Sequence, residues 1–223
     1  VYSDSTNQRA RLMLARSYRM QGAYQKGISG ISSLYNHFAV IPEGMATEMG
    51  RLLLHEQRFA ETIDLLNVNN HLSQTEVLFL RLSGTMLKGD FKSASSIYER
   101  NAGNNAGFVS EYGKILELER EFRYKKPGIS ILMSAIIPGS GKVYSGFWKD
   151  GLISFIFVAA SAYQSYRGFD KNGVKSAYGW IFGGLAAGFY IGNLYGSGKS
   201  ANQHNSEFRH QIHHQVEEIF TAY

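Results

Sequence analysis

The sequence predicts an all-α protein in which helical repeats are followed by a glycine-rich apolar hairpin and an amphipathic tail helix. Three observations carry that prediction. The aromatics Tyr24, Phe59 and Phe91 recur at intervals of 35 and 32 residues, each at the same place in an amphipathic pattern. Gly184, Gly188, Gly192 and Gly196 recur every four residues inside a run without charge. Charge itself is segregated: it is frequent up to residue 126, absent from Pro127 to Gly141, from Gly151 to Tyr166 and from Ser176 to Gly198, and frequent again from Lys199. The divisions expected are residues 1–126 for the repeats, 127–200 for the hairpin and 201–223 for the tail.

In the first division, three segments align on one template of small or apolar residues, a turn, an aromatic and an amphipathic run. The first segment reads Leu14, Ala15, Tyr18, Gly22, Tyr24, Gly27, Ile28, Ile31, and the second Met49, Gly50, Leu53, Gln57, Phe59, Thr62, Ile63, Leu66. The third, Leu82, Gly89, Phe91, Ala94, Tyr98, departs at Leu82, where a small residue is expected, and at Ser95, where an apolar one is. Small residues let paired helices approach, and a Gly or polar residue lets the chain reverse between them. On Ala15, Tyr18, Gly22, Tyr24, Phe59 and Phe91, residues 6–122 resemble a tetratricopeptide repeat region. That resemblance implies a concave surface holding a partner's peptide or helix; the plainer reading is that the helices pack on the rest of the protein.

Beyond Pro127 the hydropathy changes. Ser176–Gly198 is an uncharged run of 23 residues, long enough as a helix for a bilayer core of about 30 Å. Gly151–Tyr166 is shorter and spans only with Phe147 and Trp148 included, while the connector Arg167–Lys175 is polar and basic. Aromatic residues cluster near the segment ends, as they do at membrane interfaces. An exposed helical Gly costs about 1 kcal/mol relative to Ala. The glycine series therefore predicts close backbone packing of Gly184, Gly188, Gly192 and Gly196 against Ala159 and Ala162. Either the hairpin spans a membrane, or it is buried inside a complex.

Upstream lies Pro138-Gly139-Ser140-Gly141-Lys142-Val143-Tyr144-Ser145-Gly146, followed by Trp148. The pattern Pro-Gly-x-Gly-x-x-Tyr-x-Gly before two apolar helices resembles a family of small bacterial two-helix membrane domains. It is similar to modules that follow tetratricopeptide repeats in bacterial envelope proteins. The likeness covers about residues 127–205 and includes Gly192-Asn193-Leu194-Tyr195-Gly196, Ala201 and Asn205. It implies architecture and an envelope location, with the repeats periplasmic, and no chemistry.

Composition and motifs argue against catalysis. The 223 residues hold no Cys, which excludes disulfides, thiol nucleophiles and Cys-ligated zinc. Lys and Arg number 23 against 18 Asp and Glu, scattered in a way that does not imply nucleic acid. Gly141-Lys142 fails as a phosphate loop, because Ile136 stands where the first Gly belongs and Val143 where Ser or Thr belongs. His210 and His214 share a helix face, yet the amphipathic pattern of Ile212, Val216, Ile219 and Phe220 makes a surface tail helix the better reading. Neither metal, cofactor nor small-molecule substrate is indicated. The chain opens Val1-Tyr2-Ser3 without Met, which fits a removed signal peptide or a trimmed terminus alike. The expected role is a noncatalytic adaptor of the bacterial envelope: the repeats bind a partner protein and the hairpin meets lipid or a complex. The alternative is a subunit of an outer-membrane assembly, secretion or translocation machine whose hairpin packs on other subunits.

Overall fold

The computed structural model describes residues 5–223, with side chains from Asn7 onward; the opening Val1–Ser3 lies outside the described residues. The fold is all-α: eleven α-helices and two one-turn 3₁₀ segments, without a strand among the described residues. The chain divides into two compact units. One comprises the residues up to Glu121 together with Ile212–Tyr223, and the other Phe122–Gln211.

The first unit is built from helix pairs. α1 (Ser5–Met20) pairs with α2 (Tyr24–Ser32), α3 (Glu43–His55) with α4 (Phe59–Val68), and α5 (Gln74–Leu87) with α6 (Phe91–Arg100); α7 (Gly107–Glu121) follows. One backbone device makes all three turns. Gly22, Gln57 and Gly89 adopt φ of 70°, 56° and 76°, each two residues before the aromatic that opens the second helix. Ala23 N–H reaches back to the Tyr18 carbonyl at 2.8 Å, Arg58 N–H to Leu53 at 2.8 Å and Asp90 N–H to Thr85 at 2.9 Å. These are Schellman caps, which satisfy carbonyls that the helix leaves open and turn the chain in one step. Aromatic spacing in the sequence is thus the spacing of three identical caps.

Close crossings then stack the pairs. A Cβ on Gly27 of α2 would lie 2.8 Å from Leu52 of α3, and one on Gly50 of α3 would lie 2.6 Å from Leu80 of α5. The core gathers Ala15, Ile28, Ile31, Met49, Leu52 and Leu53, with Tyr24 packed on its edge. Tyr18, Phe59 and Phe91 are half-buried. Leu82, out of place in the template, is fully buried, so the third pair fills the crossing with bulk where the earlier pairs use small residues. Asp90 caps α6 by accepting from the Ser93 amide at 3.1 Å, and Ser73 with Glu76 forms a capping box at α5.

In the second unit, α8 (Pro127–Ile136) and α9 (Ser140–Tyr144) form a short reversal, followed by α10 (Trp148–Asn172) and α11 (Ala177–Ala222). The tail does not form a separate helix from residue 201. It is the end of α11, one helix of 46 residues, because no Pro or left-handed Gly interrupts Lys199–Gln211. Residues 177–211 of α11 belong to the second unit and 212–222 to the first.

Gln57 occupies a left-handed conformation that a side chain disfavours by roughly 1–2 kcal/mol. Gln57→Gly should therefore stabilise the chain by about 0.5–1 kcal/mol, read as a raised urea midpoint, whereas Gly22→Gln and Gly89→Gln should each lower it.

Candidate functional site

In the repeat unit, α3, α5 and α7 carry the chain's own tail. Ile212, Val216 and Phe220 are buried at successive turns of α11. The Phe220 ring lies 4.8 Å from His55 of α3 and 5.9 Å from Phe79 of α5, and Tyr223 lies 5.9 Å from Phe108 of α7. The amphipathic pattern of the tail is therefore spent within the unit. His210 and His214 assemble no metal site with other His, Asp or Glu among the described residues. His213 and His214 instead meet Glu217 and Glu218 one turn on.

Charge organises the same face. Glu48, almost fully buried, accepts from Arg19 Nε at 2.6 Å, with Arg16 at 3.8 Å. Arg51 donates to the Tyr223 carbonyl and sits 4.8 Å over the Phe79 ring. Burial, and then the Arg19 charge, lowers its pKa from the usual guanidinium value. Together with Thr47 and Glu76 these side chains line a cleft of about 340 Å³. His55 stacks on Tyr24 at 4.5 Å with the rings parallel. Burial first, then Arg19 and Arg51, lowers its pKa from 6.5 to about 4. Deeper in, Tyr112 shares a 2.8 Å hydrogen bond with Ser83, and burial pushes its phenol up.

The second unit has its polarity inverted. Among its buried residues are Ser130, Ser134, Ser145, Asn193 and Ser197, whereas the large apolar side chains point out. Ile136, Ile153, Phe157, Trp180, Ile181 and Ile191 are each more than half exposed. The inward groups form one network. Ser130 Oγ lies 2.7 Å from the Ser197 carbonyl and 2.8 Å from the Gly141 carbonyl, and Ser134 Oγ is 2.6 Å from Ser197 Oγ. Gly139 N–H donates to Asn193 Oδ1 at 2.9 Å and Gly141 N–H to Ser134 Oγ at 2.9 Å. Among the described residues, every deeply buried side-chain nitrogen and oxygen has a partner.

This network explains the Pro138–Trp148 motif residue by residue. Pro138 is half-buried and ends the approach of α8; Gly139, at φ 88°, starts the return. A Cβ on Gly139 would strike the Gly151 carbonyl, and one on Gly141 the Ser130 carbonyl. Gly146, at φ 91°, makes the turn before α10. Tyr144 lies under the Lys125 ammonium at 4.7 Å, and Trp148 is exposed. Lys142 donates to Ser154 Oγ at 2.8 Å. Exposed aromatics mark two levels: Trp148 and Tyr195 near one end, Tyr163, Tyr166 and Trp180 near the other. At 1.5 Å per residue the levels are about 27 Å apart along α10 and about 22 Å along α11.

The glycine series requires correction. A Cβ on Gly184, Gly188 or Gly192 would meet nothing within 4 Å, and Ala159 and Ala162 are exposed. α10 and α11 meet instead through Gly168 and Gly179, where a Cβ on the former would lie 2.6 Å from the backbone of the latter. Ser165 Oγ donates to the Gly179 carbonyl at 2.9 Å beside them. A rotation of 100° per residue separates the face of Gly179, Asn193 and Ser197 from that of Gly184, Gly188 and Gly192. Of the four, Gly196 alone is in contact, against the Lys142 side chain at 3.1 Å. The expectation of two membrane spans is also not met: among the described residues, no helix is long and apolar enough to cross a membrane.

Two outcomes follow. Gly188→Leu should leave the fold intact, whereas Gly141→Ala should unfold or misassemble the second unit, as read by limited proteolysis in detergent. His55 is neutral in folded and unfolded chains above about pH 6.5. As pH falls from 6.5 towards 4, the unfolded chain takes up a proton that the folded one resists, so stability declines across that window. With discounting for partial exposure the loss is about 1–2 kcal/mol. His55→Phe should keep the stack and remove that part of the pH dependence, measured as the difference between the two melting curves.

No family model, curated protein or solved structure matches this chain.

Proposed function

We propose that the chain is a noncatalytic adaptor of the bacterial cell envelope, in which the second unit sits in lipid and the repeat unit binds a partner protein. The inverted polarity of the second unit carries this reading. In water, a surface of Ile, Phe, Leu and Trp of this extent drives association, and patches beyond a few hundred Å² mark binding or membrane sites. In hydrocarbon, the same surface is matched, and the cost falls on unpaired backbone groups. The α8–α9 reversal meets that cost, since Asn193 and Ser134 take the amides of Gly139 and Gly141. Reversals of this kind are tolerated at membrane depth only where protein surrounds them.

Two further features support lipid over a protein socket. Exposed apolar side chains lie on all three of α8, α10 and α11. Exposed Trp and Tyr stand at the margins of the apolar surface, as such residues do at membrane interfaces. The envelope location and periplasmic repeats rest on the likeness of the Pro138–Gly146 motif to envelope membrane domains. Because the tail covers part of the repeat face, the partner engages the repeat surface outside that contact or displaces the tail.

The full chain should stay with the lipid fraction after alkaline carbonate and need detergent for release. Release by carbonate or high salt would instead assign it to the alternative, a subunit of an outer-membrane assembly, secretion or translocation machine whose apolar surface packs on protein.

A further inference from the structure

We infer that the bilayer holding the second unit is anionic: basic side chains bracket the apolar collar at both of its ends and fit phospholipid phosphates. This rests on the lipid-facing reading of the collar. Residues 122–211 hold ten Lys and Arg against three Asp and Glu, while the rest of the chain holds thirteen against fifteen. The whole basic excess of the protein therefore lies in the unit with the apolar surface.

Its placement is as informative as its size. Near one end stand Lys126 before α8, Lys149 in the first turn of α10 and Lys199 on α11. The packing of Gly139 on Gly151, and of Gly198 on Ile131, puts Lys149 and Lys199 at one level, and the hydrogen bonds between Lys125 and Asn205 put Lys126 about 9 Å further out along α11. Near the other end stand Arg167 and Lys171 in the last turns of α10, and Lys175 in the connector. All six are exposed, and none has a carboxylate within ion-pair distance among the described residues. Between the two groups, residues 151–166 and 176–198 carry no charge. From Lys149 to Arg167 the rise along α10 is about 27 Å, so the two basic groups stand well apart at the margins of the apolar surface.

A zwitterionic bilayer would accept the collar, but each of its phosphates is already balanced by a headgroup cation, so the six protein cations would find no net counter-charge there. Long Lys and Arg stems run along apolar surface and place their heads at the phosphate level. On an anionic surface each such cation raises partition by about fivefold at low salt, an effect that salt screens. A protein socket would need an apolar lining with an acidic ring at each end; an anionic bilayer presents that arrangement without design.

The test dilutes the full chain from detergent into vesicles of phosphatidylcholine alone, or of phosphatidylcholine with phosphatidylglycerol, and measures partition by flotation. Phosphatidylglycerol should raise partition at least tenfold at low salt, and the gain should shrink as salt rises. The triple variant Lys126→Gln, Lys149→Gln, Lys199→Gln should lose most of that gain and still float with phosphatidylcholine vesicles as the unmodified chain does. The salt series on the unmodified chain does not depend on how the variant folds. Equal partition into both vesicles at low salt would overturn the anionic preference and leave the lipid-facing reading in place. Failure to float with either vesicle would overturn both.

Discussion

Asn193 accepts from the Gly139 amide inside a unit whose outer surface is apolar, and the second unit is organised around that bond and its neighbours. α8 must stop, reverse and return as α9 within ten or so residues, which strands helix-end amides in the interior. Water is not there to take them, so side chains must. Ser134 and Asn193 do so, and Ser197 and Ser130 link them to α11 and to the Gly141 carbonyl. Once these polar groups are turned inward, the apolar residues of α8, α10 and α11 have only the outside left. The apolar collar is a consequence of the network.

The repeat unit solves the opposite problem with opposite means. Its interior is mainly Leu, Ile, Met, Ala and Phe, and its buried polar contacts are few: the cluster around Glu48, the Ser83–Tyr112 hydrogen bond and Asn69 on the carbonyls of Phe38 and Ile41. A buried carboxylate costs several kcal/mol unless it is paired and hydrogen-bonded, and Arg19 meets both needs. Arg51, left beside other arginines, finds the Tyr223 carbonyl and the Phe79 face instead. Both of its partners hold the end of α11 on α3 and α5, so the cleft and the tail contact form one arrangement.

Much of the first unit was legible in the sequence because its signals are local. Tyr24, Phe59 and Phe91 mark the start of second helices, and the residue two before each sets the turn, even where Gln57 replaces Gly. In the second unit the motif from Pro138 to Gly146 was legible for the same reason: each Gly answers to a backbone reversal or a close carbonyl. The glycine series misled because a four-residue repeat specifies one face of a helix without saying where that face points. Gly184, Gly188 and Gly192 satisfy the small-residue pattern, yet Gly179, Asn193 and Ser197 lie on the contacting face. Nothing local distinguishes them; the difference lies in the hydrogen bonds that Asn193 and Ser197 make to residues more than fifty positions away. The tail was read correctly as amphipathic, but its buried face meets the repeats, a contact that no periodicity in the tail could name.

The division of the chain into units has a consequence for how the protein is made. Ile212, Val216 and Phe220 complete the interior of the first unit, yet they leave the ribosome only after the whole of the second unit. Domains otherwise tend to fold in order of synthesis. Here the repeat helices must wait, with Phe79 and Phe108 uncovered, until every residue of the inverted unit has been translated. The finished repeat face is thus a record that the apolar segment has already been produced. A chain interrupted anywhere before residue 212 exposes that apolar face, which is the kind of surface that chaperones and proteases recognise.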